Sequence, residues 1–547
     1  MTDTIPRLES RPGGINIFYK GKYLYHEQSP EEHARSRASS VTLPEKSIIL
    51  VPSPLVGYGI KELLQRLPSS SHLVCVEKDQ VLMDIALKSF IPQIQQNPRV
   101  SFVRTDSIPA LIEYLDEKID WKRFRKILLV PLNRGYILYR SFYDEVQKQL
   151  LMYLERVLRN RLTTIRLSKR WMSNFFRNLI FLPNSSPLTE LSIRKPPLVL
   201  GAGESLEDRF EWIKKVRQTV CLISVDTALP FLGAIGIQPD LVVSVDAQAI
   251  NLQDFLALPF EGIPLVADLT VFPGILRIWK GPLYLFLSRF ESLRWFENPQ
   301  TASVLPPMLP PLGSVGNIAL YIASARSLPT LPIFCLGMDF YYSPGKPHAR
   351  GTYTHNLYVS HHHRLNPSII LENNLNRQKG TDFLSNGKMV KTDPVLRSFI
   401  EVARTICQKE KRVYNLSTRG FDFGATPIED FSRLSAILKD LPSIPLSPPP
   451  PSHSWSTRSV LEFTEGLSET LKDIEDRIEK LISSESRNLE KDTYHRLEAL
   501  DFLFLDLPEP FSPDTFDIPT AVQLRANIKR YKDLLSQVKK SFSLPRS

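Results

Sequence analysis

Five short apolar runs follow one another between residues 198 and 336, and each stops at a glycine or an acid. Leu198–Leu200 ends at Gly201–Ser205, Val220–Val225 at Asp226-Thr227, and Leu241–Val245 at Asp246. Leu265–Ala267 ends at Asp268, and Ile333–Leu336 at Gly337-Met338-Asp339. Short Val/Ile/Leu runs without alternation suit strands buried on both faces of a parallel sheet. Helix-like or turn segments separate several of them, and Gly236–Asp240 turns the chain into the third run. The pattern predicts an α/β fold with a doubly wound, Rossmann-like central domain. In such a sheet the carboxyl ends of the strands share one edge, and ligands bind there.

The polar groups at that edge are suggestive. Gly201-Ala202-Gly203 followed by Ser205 reads as a strand, a glycine turn and a helix N-terminus, which together form a phosphate cradle. Ser205-x-x-Asp208 fits a capping box. Asp226, Asp246, Asp268 and Asp339 could bind a metal, hydrogen-bond a ribose or cap helices, and their spacing does not separate these roles. After Asp339 the chain runs Phe340-Tyr341-Tyr342-Ser343-Pro344-Gly345-Lys346-Pro347-His348-Ala349-Arg350. Phenols and cations there would stabilise a departing phosphate, and His348 would accept a proton from an attacking hydroxyl. His361-His362-His363 is not read as a metal site, because adjacent residues do not all face one ion.

The chain has 547 residues, too many for one ordinary core. Residues 1–45 form an N-terminal extension. Residues 46–140 read as a second Rossmann-like domain, with strands Ser47–Val51 and His72–Glu77 and a Gly57-Tyr58-Gly59 turn. Pro52 and Pro54 lie where backbone donors would be wanted, so this domain is expected to hold no ligand. Residues 141–190 read as a helical connector, an amphipathic helix pair that includes the basic stretch Arg156–Arg177. The third region, 191–440, carries the edge chemistry. A proline-rich linker (441–454) leads to a helical C-terminal domain (455–547). Its seam of Phe463, Leu467, Leu471, Ile474, Ile478 and Leu481 suits docking or a homo-dimer.

Four scattered cysteines suit a reducing cytoplasm, and no apolar stretch has membrane-spanning length. The formal charge of +10 could suit nucleic acid, anionic lipid or anionic substrates, but the basic residues are not gathered into one run, and the densest stretch, Arg156–Arg177, reads as the amphipathic helix pair rather than a nucleic-acid patch.

GAGESLEDRFEWI, SVDTALPFLGAIGIQPDLVVSVDAQ, GSVGNIALYIA, LGMDFYYSPGKPHARGT and RVYNLSTRGFDFGATP together resemble the motility accessory factor (Maf) family. The central domain of that family is of the 6-hydroxymethylpterin diphosphokinase MptE-like type. The same core is similar to bacterial sialyltransferases that use CMP-sialic acid. The resemblance implies transfer of a nonulosonic acid, of pseudaminic or legionaminic type, from a CMP donor to Ser or Thr of flagellin, inverting the anomeric centre. It implies nucleotide contacts from Gly201, Gly203 and Ser205, with Ser314 and Gly316 near the nucleotide or the sugar carboxylate. The strand-end residues Asp226, Thr227, Asp246 and Gly337 join them as nucleotide-side candidates. Tyr341, His348 and Asp339 are the candidate catalytic groups. A pterin diphosphokinase would instead need ATP and Mg²⁺, and a third alternative is a flagellin-binding assembly factor without turnover.

Overall fold

The computed structural model describes residues 5–89, 97–256, 258–290, 293–343, 346–362, 364–365, 381–385, 388–417, 419–441, 455–484, 489–511 and 516–543. The proline-rich linker therefore lies outside the described residues. The chain divides into two compact units, residues 1–166 with 507–515 and residues 167–506 with 516–547.

In the first unit, β1 (Arg7–Arg11), β2 (Gly14–Tyr19) and β3 (Lys22–Tyr23) form an antiparallel sheet. Strands β4 (Ser47–Pro52), β5 (His72–Glu77), β6 (Val100–Arg104) and β7 (Lys126–Leu129) form a parallel sheet in the order β6-β5-β4-β7. Helices α1 (Ile60–Arg66), α2 (Gln80–Ser89) and α3 (Ile108–Lys118) connect them. This is the expected Rossmann-like topology. Its strand-end acid, Glu77, is fully buried and accepts hydrogen bonds from Ser53 Oγ (2.9 Å), the Asp79 N–H (2.9 Å) and the Tyr143 hydroxyl (3.3 Å).

The second unit is built on one mixed-length parallel sheet. Its strands are β8 (Ser186–Pro187), β9 (Pro197–Leu200), β10 (Cys221–Val225), β11 (Leu241–Ser244), β12 (Leu265–Asp268), β13 (Leu283–Ser288), β14 (Met308–Leu309) and β15 (Ile333–Leu336). Beyond the β16–β17 hairpin (Thr381–Ser385, Lys388–Thr392) come β18 (Val413–Asn415) and β19 (Thr426–Pro427). The sheet order is β14-β13-β12-β11-β10-β9-β15-β18-β19, with β8 on β13. The chain winds outward from β9 through β13 and then returns to the other side of β9 as β15. The switch point of the doubly wound sheet is therefore the crevice between β9 and β15.

Helix α4 (Arg140–Asn178) is one continuous helix, not the expected pair, and the boundary between the units falls within it. Nothing in its sequence breaks the helix: it has no proline or glycine between Arg140 and Asn178. Near its end, Asn174 donates to the carbonyls of Ala247 and Thr270, and Asn178 to those of Leu269 and Val271. The two amides, one turn apart, pin the loops after β11 and β12; each buried bond is worth about 1 kcal/mol.

The C-terminal seam is used within the chain. Helices α8 (Thr457–Ser483) and α9 (Ile518–Ser543) pair, burying Leu467, Leu471, Ile474 and Ile478 against Leu524, Ile528 and Leu535. Trp295 stacks near Phe463 and Phe502, and Phe176 near Tyr531. Of the expected seam, Leu467, Leu471, Ile474 and Ile478 are buried within the unit, while Phe463 and Leu481 are half-buried. No described helix is long and apolar enough to cross a membrane. Three further helices matter for the site: α5 (Leu206–Val216), α6 (Val315–Arg326) and α7 (Pro394–Lys409).

Candidate functional site at the carboxyl edge of the central sheet

At the switch point the loops after β9 and β15 are clasped backbone to backbone. The Gly201 N–H donates to the Leu336 carbonyl and the Gly203 N–H to the Gly337 carbonyl, both at 2.8 Å. A Cβ on Gly201 would sit 2.4 Å from the Gly337 oxygen, and one on Gly337 would sit 2.5 Å from the Gly201 oxygen. These glycines are required by the close approach of two strand ends.

The helix N-terminus beside them already holds an anion, supplied by the protein. Asp339, 1 % exposed, accepts the Ser205 N–H on Oδ2 (2.8 Å) and the Ser205 hydroxyl on Oδ1 (2.5 Å). Ser417 Oγ lies 2.8 Å from Ser205 Oγ. A Cβ on Gly203 would strike Asp339 Oδ2 at 2.6 Å. The expected capping box is absent: the Ser205 side chain turns to Asp339 rather than back onto its own helix. The expected phosphate cradle is therefore filled from within, and Asp339 positions the loop rather than facing the cleft. Burial, partly offset by the Ser205 bonds, pushes the Asp339 carboxyl up to about 6.

Beyond Asp339 the backbone is strained, with Phe340 at φ +55°. The loop that follows is tied to the first turn of α5 by charge. Glu204 accepts hydrogen bonds from the Tyr341 hydroxyl (3.2 Å) and Ser343 Oγ (2.7 Å), and pairs with Lys346 (3.3 Å) and Arg419 (3.2 Å). Glu207 pairs with Lys346 at 2.9 Å and accepts the Arg350 N–H at 2.7 Å; Asp208 pairs with Arg419 at 2.7 Å. Tyr341, Lys346 and Arg419 thus converge on Glu204. Burial raises the Tyr341 hydroxyl above its ordinary range, and the nearby acids add to this.

His348 is half-buried on the same loop and hydrogen-bonds the Ala202 backbone; the Ala349 N–H donates to the Ala202 carbonyl at 2.9 Å. Burial pushes His348 down to about 4, so the ring is neutral near pH 7.

The other strand-end residues fall into separate groups. Asp226 is fully buried at the end of β10, accepting Ser244 Oγ (2.8 Å) and the Thr227 N–H (2.8 Å). Asp246, after β11, accepts the Gln248 N–H (3.0 Å). Asp268 serves structure: it accepts the Thr270 N–H and hydroxyl and reaches across to the Ser288 N–H of β13. Ser314 is the N-cap of α6, taking the Asn317 N–H at 3.2 Å, and Gly316 faces Met338 with room for a Cβ. Among the described residues no three His, Cys, Asp or Glu side chains come together as a metal site.

Sequence reasoning left three contributors without a role. Glu204 is the hub of the cluster. Ser417 and Arg419 follow β18, whose short Val413-Tyr414-Asn415 core gives little strand signal; applying the strand-end rule there would have found them.

Comparison with known proteins matches this geometry. The model of the 6-hydroxymethylpterin diphosphokinase MptE-like family matches residues 170–345, the part of the chain that carries β9–β15. Residues 170–345 are therefore similar to the MptE-like domain. An uncharacterized protein of Treponema pallidum (strain Nichols) is 30 % identical over 424 residues, covering 76 % of this chain and 73 % of that one. A second uncharacterized protein of the same organism is 32 % identical over 100 residues, covering 18 % of this chain and 48 % of its own. The chain belongs to the same family as the first of these Treponema proteins. The solved structure of a Maf glycosyltransferase from Magnetospirillum magneticum AMB-1 superposes with a TM-score of 0.56 at 13 % identity, covering 98 % of this chain and 90 % of that one. The architecture is the Maf fold, extending through both units and the C-terminal helices.

Proposed function

We propose that the chain is a glycosyltransferase that moves a nonulosonic acid from a CMP donor to Ser or Thr hydroxyls of flagellin. The observation that carries the reading is the convergence of Tyr341, Lys346 and Arg419 on Glu204 beside the β9–β15 switch point, within a fold shared with a Maf glycosyltransferase. An entering phosphate would compete with Glu204 and Glu207 for Lys346 and Arg419, so the loop is held by charges that a donor can exchange.

The reaction breaks the bond between the anomeric carbon and the CMP phosphate oxygen, and the electron pair leaves with CMP. The Tyr341 hydroxyl and the two cations stabilise that growing charge. A new bond forms from the acceptor hydroxyl oxygen to the anomeric carbon, on the opposite face. His348 takes the acceptor's proton; its ring is neutral and one nitrogen is fixed on the Ala202 backbone, leaving the other to accept. Asp339, Ser205 and the glycine clasp position the loop and do not touch the reacting atoms.

A second reading, a pterin diphosphokinase, is favoured by the description of the matched family model. Calorimetric titration separates the two. CMP binding without ATP–Mg²⁺ binding supports the transferase, the reverse supports the diphosphokinase, and silence with both points to an assembly factor.

A further inference from the structure

Tyr341 and Tyr342 are adjacent in the chain, yet their hydroxyls reach carboxylates on different elements. The Tyr341 hydroxyl donates to Glu204 Oε2 at 3.2 Å, just before α5, and the Tyr342 hydroxyl donates to Oδ2 of Asp393, the N-cap of α7. Between this pair and the locked Asp339 stands Phe340, at φ +55°. A bulky L-residue keeps that conformation only where its surroundings impose it. On the near side, the Phe421 N–H donates to the Asp339 carbonyl at 3.2 Å. Gly420, at φ +99°, comes so close that a Cβ there would lie 2.7 Å from the same oxygen. The Phe340 ring meets Phe423 edge-on, with centroids 5.7 Å apart. On the far side, the Thr392 hydroxyl donates to the Phe340 carbonyl at 3.1 Å. Thr392 is fully buried at the end of β17. Its bond acts on the peptide plane that leads from Phe340 into Tyr341.

We propose that Thr392 is a positioning residue of this site: its hydroxyl holds the Phe340–Tyr341 peptide plane, and that plane aims the Tyr341 hydroxyl. This rests on the reading above in which Tyr341 meets the leaving phosphate. The Tyr342–Asp393 bond ties the other side of Tyr341, so the phenol is held between two anchors. Both anchors come from the junction of β17 and α7, and neither touches the reacting atoms. A valine at position 392 keeps the shape of the side chain but leaves the Phe340 carbonyl without this donor. Phe340 is then free to relax out of the positive-φ region, and the relaxation rotates the plane that carries Tyr341. A shift of about 1 Å at a group that acts in the transition state costs up to about a hundredfold in rate.

The test is CMP release by the full chain from a CMP-activated nonulosonic acid, with flagellin as acceptor. Thr392→Val should lower kcat about 5–50-fold and leave KM within about twofold, the split expected when only a transition-state contact is disturbed. Thr392→Ser, which keeps the hydroxyl, should return kcat to within about threefold of wild type. In a Tyr341→Phe background, Thr392→Val should cost less than about a further twofold, because its effect passes through the Tyr341 hydroxyl. Crystal structures of wild type and Thr392→Val give a readout independent of turnover. In the variant, Phe340 should leave the positive-φ region and the Tyr341 hydroxyl should move off Glu204 by about 1 Å or more. If Thr392→Val fails to fold, Tyr342→Phe replaces it, with the same kcat loss and the same dependence on the Tyr341 hydroxyl. Full additivity with Tyr341→Phe overturns the positioning role, and so does a Phe340 that keeps its φ with Tyr341 still on Glu204. If wild type releases no CMP, the transfer reading fails by itself, and the crystal structures alone decide whether Thr392 aims Tyr341.

Discussion

Gly337→Ala tests whether the glycines at the switch point serve a backbone clasp. Gly337 has φ +78°, a region that costs an L-residue about 1–2 kcal/mol. Its added Cβ would also lie 2.5 Å from the Gly201 oxygen and 2.9 Å from the Gly201 carbonyl carbon. Both are backbone atoms, so the strand ends must separate, and overpacking of that kind costs about 1–3 kcal/mol. The sum is about 2–5 kcal/mol. Gly236→Ala supplies the control: Gly236 has φ +67° and nothing within 4 Å of its Cβ position, so it carries only the backbone term. In a unit this large each kcal/mol moves the melting temperature by about 1–2 °C, an extension of the trend for smaller domains. Gly337→Ala should therefore melt roughly 2–10 °C below wild type, and Gly236→Ala only about 1–4 °C below it. Differential scanning calorimetry reads both. If Gly337→Ala melts no lower than Gly236→Ala, the clasp is not what these glycines are for.

Three further outcomes follow from the same geometry. Ser205→Ala removes a hydroxyl bonded to a buried carboxylate and should cost about 1.5–3 kcal/mol, read by chemical denaturation; an unchanged stability with CMP binding lost would make Ser205 a ligand contact instead. Asp226, Asp339 and Asp254 have folded pKa values of about 6, 6 and 7, above the ordinary 3.8. Their contribution is fully favourable below about pH 4 and is lost as pH rises through 6–7, so Asp254→Asn should match wild type near pH 4 and exceed its melting temperature at pH 8; an advantage that is larger at pH 4 would reverse the assigned sign. Tyr341→Phe should lower kcat about 10–100-fold with little change in KM, since the hydroxyl meets charge that grows only in the transition state, and an effect confined to KM would place it in ground-state binding.

Much of both parallel sheets was legible because buried parallel strands leave short Val/Ile/Leu runs; Ile333–Leu336 of the central sheet and His72–Glu77 of the first unit's sheet fall at the boundaries read from the sequence. Leu283–Ser288 escaped because its aromatic residues and flanking Pro282 carry neither a helical nor an alternating period. The site was legible as a place but not as an arrangement. The motif Gly201–Ser205 looks the same whether its helix N-terminus holds a phosphate or a carboxylate from 134 residues away. Only the fold brings Asp339 to it.

The central claim is tested most directly by mass. The purified chain would be incubated with a CMP-activated nonulosonic acid and flagellin, and the intact mass of flagellin and the released CMP measured together. The account predicts mass increments of whole sugar residues with one CMP released for each, and their loss in Tyr341→Phe. Unmodified flagellin, no CMP release, and AMP formation from ATP–Mg²⁺ with a reduced hydroxymethylpterin would contradict it.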